Sequence, residues 1–307
     1  MKHYRQLQTS AGWRYASYGI ALLVIAPVAV IFASWALPVI EDHWSHLFKY
    51  LLLEVLLNTL GLLLGVGILS AILGTGTAWI CSQYQFFGAA FFRRALIFPF
   101  AIPAYVNSFV YVGLLDYAGP LRTFLRDKGL ADGFIPEIRT LSGGIVLMAL
   151  SLYPYVYVLA YNAFESQGRG LREVARSLGQ GPLQIFWRLA IPFARPWIIG
   201  GVCLAGLEVL NDFGTVSVIG ISTFTSAIYK VWFAFFSPET AAQLSSFLIT
   251  LAFLIYAWDQ YSRKRRAYTA PSSLPKITPL NRSHSILAFL CCFVLFTLAF
   301  LIPFLQV

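Results

Sequence analysis

The chain has 307 residues, of which 58% are hydrophobic and only 11% charged, with a mean hydropathy of +0.71. Soluble domains carry about a quarter charged residues, so a water-soluble fold is excluded. The net charge of +9 does not call for nucleic acid, because the basic residues gather beside apolar runs rather than in a patch of their own. Those runs lie near 17–38, 53–80, 95–115, 141–163, 193–218, 241–261 and 286–306. Each is long enough to cross a bilayer core of ~30 Å as a helix. Helices are the expected solution, since backbone groups in lipid have no water to bond. The chain is therefore expected to be an all-α membrane protein with seven spans. Pro99, Pro103, Pro192 and Pro196 crowd the ends of the third and fifth runs.

The first run is longer than the apolar core of a secretory signal, and no small-residue cleavage site follows Trp35-Ala36-Leu37-Pro38. With the N-terminus inside, sixteen of the twenty-two Lys and Arg fall on the cytoplasmic side, a bias that selects one orientation. The run Arg263-Lys264-Arg265-Arg266 next to the sixth span reads as a topology anchor. Cys81, Cys203, Cys291 and Cys292 lie in or beside spans, where no oxidising compartment could pair them. No Cys/His metal spacing occurs, and the glycines at 65, 67, 74 and 76 lack the lysine of a phosphate-binding loop. Neither a cofactor nor a resident metal is expected, nor an enzyme. Energy must come from another polypeptide.

The polar segment between the fourth and fifth runs is the most informative. Leu171, Ala175 and Leu178 form an apolar stripe, so 165–180 reads as a short amphipathic helix. Gly179 is placed to end it in the left-handed conformation. Gly181-Pro182 then opens a second short helix, with proline suited to its first turn. The segment reads Glu173-Val174-Ala175, three residues, Gly179, nine residues, then Leu189-Ala190-Ile191-Pro192. It resembles the coupling motif EAA-x3-G-x9-I-x-L-P of permease subunits in binding-protein-dependent ABC importers, with conservative departures at Val174, Leu189 and Ile191. Further segments are similar to the ferric-iron branch: Asn58-Thr59-Leu60, Ile102-Pro103-Ala104-Tyr105-Val106, 111–120, Leu152-Tyr153-Pro154-Tyr155-Val156-Tyr157 and 212–217. Together the likeness covers roughly 50–265.

The resemblance implies a six-helix ABC importer permease core plus one further transmembrane helix, in the bacterial inner membrane with the N-terminus cytoplasmic. It implies no nucleic acid but three kinds of partner: cytoplasmic ATPase subunits, a periplasmic solute-binding protein, and a second permease half or a homodimer partner. Glu173, Ala175, Gly179, Leu189 and Pro192 would couple the spans to the ATPase, with Glu173 as the polar contact. Ferric iron is the first expectation for the solute. Thiamine, a polyamine, sulfate or a phosphonate would use the same machinery. A membrane-embedded enzyme using paired carboxylates, or a purely structural membrane protein, would leave the 173–192 loop unexplained.

Ionisable groups at membrane depth are costly and point to function. Glu208 and Asp212, one turn apart on the fifth run with Asn211 beside them, are candidates to line a translocation path in its outer half. They could instead anchor helices. Asn58, Thr59, Asn107 and Ser108 fit hydrogen bonds between helices. Tyr153, Tyr155 and Tyr157 carry oxygens suited to ferric iron, and they also fit an aromatic belt at the membrane interface.

The expected organisation is a tail, first helix and outer loop over 1–49, then a permease core over 50–262 containing the coupling loop 165–192. A basic cytoplasmic linker over 263–285, broken by Pro271, Pro275 and Pro279, leads to the seventh helix over 286–307. That helix is expected to begin a second permease half. An intact homodimerising subunit with one added helix is the alternative.

Overall fold

The structure, a computed structural model, describes residues 11–37, 44–45, 47–129, 137–166, 179–263 and 278–306. Six helices among them are long and apolar enough to cross a membrane: 12–36, 47–83, 141–166, 182–211, 238–262 and 282–306. Two bent helix pairs add to these, 89–101 with 104–127 and 213–219 with 224–233, folded by 89° and 85°.

The first helix, α1 (Ala11–Ala33), continues into a tight turn at Ser34–Ala36. It touches the bundle near that turn, where Trp35 donates to Ser246 and Gln243 donates to the Ser34 carbonyl. Helix α2 (Leu52–Gln83) and helix α6 (Leu141–Ser166) form the centre. Their closeness depends on missing side chains. A Cβ on Gly74 would lie 2.8 Å from the Tyr157 amide nitrogen. From the other side, a Cβ on Gly201 of helix α8 (Ile191–Asn211) would lie 2.6 Å from Val156 Cα. Helix α6 is thus held at Val156 between two glycine-bearing helices, the small-residue packing that lets backbones approach within a membrane.

The expected third span, 95–115, is not a single helix. Helix α3 (Ala89–Ala95) runs into a tight turn at Phe98–Ala101, then breaks before helix α4 (Ala104–Leu115) and a short α5 (Pro120–Asp127). Pro103 forces the preceding residue out of the helical region, and Ile102 is extended at φ −111° and ψ 117°. Buried tyrosines fasten the folded-back segment. Tyr153 donates to the Leu96 carbonyl and Tyr157 to the Arg93 carbonyl, at 2.9 and 3.1 Å. These two therefore do not belong to an interfacial belt.

The expected fifth span, 193–218, is also corrected. The helix starts earlier, with α7 (Pro182–Ile185) and a wide turn at Phe186–Ala190, and ends at Asn211. Two short helices follow, α9 (Phe213–Ile219) and α10 (Phe224–Phe233), before α11 (Pro238–Arg263). Asn58 donates to the Ser222 carbonyl, and the Phe224 amide donates to Thr59 Oγ1. Those contacts stitch the α9–α10 corner to α2.

The seventh span, α12 (Arg282–Phe296) continued by α13 (Ile302–Gln306), packs on the same core. Phe289 and Phe296 meet Phe92, Cys292 lies 3.9 Å from Cys81, and Tyr111 donates to the Leu298 carbonyl. A two-residue parallel pairing of β1 (Tyr84–Gln85) with β2 (Thr278–Pro279) holds its approach. Part of the expected 263–285 linker is therefore ordered against the core.

Candidate functional site

Two regions carry the residues singled out by sequence. One is the end of the bundle that carries the Gly179 turn. Glu173 and Ala175, with most of the amphipathic helix expected over 165–180, lie outside the described residues. Gly179 is exposed and has φ +76°, the left-handed conformation that a β-carbon disfavours. A Cβ there would meet nothing within 4 Å, so backbone conformation alone calls for glycine. Gly181 then caps α7, its amide donating to Gln184 Oε1 at 3.2 Å, and Pro182 sits in the first turn.

The segment after Gly179 is firmly seated. Ile185 and Ala190 are buried, and Leu189 packs against the same cluster. The Trp79 ring touches Phe186 and Phe164 at centroid distances of 5.2 and 5.3 Å, tying the turn after α7 to α2 and α6. Leu189 thus faces inward, whereas Leu183 and Trp187, one turn apart, remain largely exposed. This outward apolar pair is legible as an i, i+4 spacing. Pro192 is exposed at the start of α8.

The second region is a cavity of about 450 Å³ beside the middle of α6. Its walls come from the 99–105 break, from Ser151, Leu152 and Tyr155 of α6, and from 208–214. Glu208, Asn211 and Asp212 all line it. The two carboxylates are differently employed. Tyr155 donates a 2.9 Å hydrogen bond to Glu208 Oε1, and its ring is set by an edge contact with Phe100 at 4.6 Å. Asp212 is not on the long helix but in the break after it, where it caps α9. Its Oδ1 accepts from the Thr215 amide at 2.8 Å and its Oδ2 from the Thr215 hydroxyl. Behind the wall the buried Asn107 donates to the Ser151 hydroxyl at 2.7 Å, linking α4 to α6.

Tyr155 is the residue that an interfacial-belt reading misplaces. It lies one helical turn from Ser151 on α6, and that spacing places both on the face that carries the cavity. Two carboxyl groups, the Tyr155 phenol, the Ser151 hydroxyl and the Asn211 amide make the cavity wall polar.

Residues 64–268 match the family described as "Binding-protein-dependent transport system inner membrane component". Over 220 residues the chain is 33% identical to the Fe(3+)-transport system permease protein FbpB 2 of Haemophilus influenzae, a match covering 72% of this chain and 40% of that protein. Over 183 residues it is 31% identical to the spermidine/putrescine transport system permease protein PotB of Escherichia coli, covering 58% and 65%. The chain thus spans less than two thirds of either relative. A chain of a solved bacterial alginate ABC transporter, in complex with an alginate pentasaccharide-bound periplasmic protein, superposes with a TM-score of 0.65. That likeness covers 84% of this chain and 96% of the other at 15% identity, and it speaks for the fold alone. The chain belongs to the binding-protein-dependent transport system inner membrane component family.

Proposed function

We propose that the chain is the transmembrane permease component of an ATP-driven importer, coupled to ATPase subunits through 173–192 and carrying ferric iron. The observation that carries the transport reading is the Glu208–Tyr155 pair facing a polar cavity at the middle of α6. Ionisable groups at such depth mark solute pathways. The coupling reading rests on the motif 173–192, with Gly179 left-handed and the turn behind it seated on Trp79. A turn seated on the bundle in this way can pass the motion of an ATPase into helices that have two arrangements. A periplasmic binding protein would deliver the solute to the opposite side. Glu208, Asn211 and Asp212 would line the path.

Ferric iron is favoured by the 33% identity to the Fe(3+) permease. It is also favoured by the chemistry of the cavity, where carboxylate and phenol oxygens suit a hard cation. A polyamine is the second reading, supported by the PotB relative and by the same carboxylate, which also attracts ammonium groups. Uptake of radiolabelled ferric iron and spermidine, measured with the cognate binding protein, separates the two. Iron accumulation that excess spermidine leaves unchanged supports the first reading. Spermidine accumulation without iron would replace it with the second.

A further inference from the structure

A second groove lies at the end of the bundle that carries the Gly179 turn, between the start of α8 and the end of α11. Its volume is about 290 Å³. It is lined by Pro192, Arg195, Pro196 and Ile199 of α8 and by Trp258, Tyr261 and Ser262 of α11. These positions follow i, i+3, i+4, i+7 on one helix and i, i+3, i+4 on the other, so two facing stripes make the walls. The groove lies toward the opposite end of α8 from the cavity at Glu208, and neither the path nor the coupling motif uses its arginine.

The lining has a distinct chemistry. Arg195 is exposed, and none of the lining residues is acidic. Trp258 and Tyr261 are each more than half exposed and flank it with amphipathic rings. Such rings settle where headgroups meet acyl chains. Ile199, one turn deeper than Arg195, gives an apolar floor below the charge. From the mouth inward the groove runs from Tyr261 and Arg195 through Trp258 to Ile199, the order of a phospholipid from phosphate to glycerol to acyl chain. In the sequence, Arg188 precedes Pro192 by four residues and Arg263-Lys264-Arg265-Arg266 follows Ser262 directly, a juxtamembrane basic composition that draws anionic lipid.

We propose that this groove binds the phosphate of an anionic phospholipid headgroup, with Arg195 as the phosphate ligand, Tyr261 and Ser262 beside it at the mouth, and Trp258 against the glycerol region. A guanidinium fork matches two phosphate oxygens, which an ammonium does not. Bound there, the lipid would fill the space between α8 and α11 immediately behind the coupling segment.

The test is native mass spectrometry of the purified full chain released from detergent containing equimolar dioleoylphosphatidylglycerol and dioleoylphosphatidylcholine. The wild type retains the phosphatidylglycerol about fivefold over the phosphatidylcholine, on the scale of one basic residue at a membrane surface. Arg195→Gln removes that preference, Arg195→Lys keeps part of it, and Arg94→Gln, an exposed arginine on α3, leaves it unchanged. Ser262→Phe, which fills the groove without altering charge, removes it as well, and the partial preference kept by Arg195→Lys separates loss of the phosphate ligand from a folding defect. Equal retention of both lipids by the wild type overturns the proposal. So does equal loss in the Arg94 variant, or displacement of the lipid by millimolar inorganic phosphate, which would mark a site for a free anion.

Discussion

The Tyr155 hydroxyl donates to Glu208 Oε1 across 2.9 Å, joining the middle of α6 to the last turns of α8 at the wall of the polar cavity. A hydrogen bond to a charged group contributes about 1.5–3 kcal/mol. Tyr155→Phe should therefore leave Glu208 free to rotate and weaken handling of a cationic solute by roughly tenfold in apparent affinity. Glu208→Gln should lower uptake further, with expression preserved. Uptake kinetics at several solute concentrations measure both effects. Wild-type kinetics in both variants would return the pair to a purely structural role.

Asp212 makes a different prediction because it caps a helix. Asparagine caps as well as aspartate does, whereas alanine loses about 1 kcal/mol. Asp212→Asn should keep the thermal stability of the detergent-solubilised chain and Asp212→Ala should reduce it. Uptake in the Asn variant then isolates the charge. A fall in uptake at unchanged stability assigns Asp212's negative charge to the path, and unchanged uptake leaves it as a cap.

The seventh span is predicted to rest on α2 at a known point. Cys81 and Cys292 are buried with their sulfur atoms 3.9 Å apart. A disulfide needs about 2.05 Å, so a shift of about 2 Å suffices. Mild oxidation with diamide in membranes should give an intramolecular Cys81–Cys292 link, read by peptide mass spectrometry. Cross-linking of Cys292 to another chain instead would contradict the packing of α12.

Outside the spans, Arg139 holds Asp116 at 3.1 Å and also donates to the Val218 carbonyl, joining the turn after α4 to α9. The backbone amide of Tyr117 and the Arg139 guanidinium lower the Asp116 pKa below its ordinary value. A lowered folded-state pKa contributes stability above the unfolded value and loses it as the pH falls through the folded one. The clamp should therefore hold at neutral and mildly acidic pH and open only below the usual carboxylate range. Asp116→Asn should remove this contribution at every pH. Thermal stability followed from pH 7 downward distinguishes the two proteins, and identical pH profiles would exclude the clamp.

Much of the fold was legible because apolar runs and membrane thickness fix where long helices can lie. The breaks were harder to place. Pro99 and Pro103 marked the third run as irregular, yet hydropathy could not show that it folds back by 89°. At Asp212 the apolar residues Phe213, Val216 and Ile219 continue past the break, so a window average reads through it. Only the aspartate-to-threonine spacing at 212 and 215, a helix-start signature, hinted at the cap. The cavity was half legible. Glu208 stood out as an intramembrane charge, while Tyr155 was hidden among three alternating tyrosines that on a helix point in different directions. Two of them fasten the 93–96 segment, and the third meets Glu208.

The coupling claim is tested most directly at Gly179, whose φ of +76° costs a residue with a β-carbon about 1–2 kcal/mol, and a β-branched one more. The measurement is ATP-driven accumulation of radiolabelled ferric iron in proteoliposomes. These hold this chain, a second permease half or second copy, the cognate ATPase and the binding protein. Gly179→Val should insert normally, continue to permit ATP hydrolysis, and lose about tenfold or more of the uptake. Glu173→Lys should in addition release the ATPase in a pull-down from detergent extract. Normal uptake and normal ATPase association in both variants would contradict coupling through 173–192.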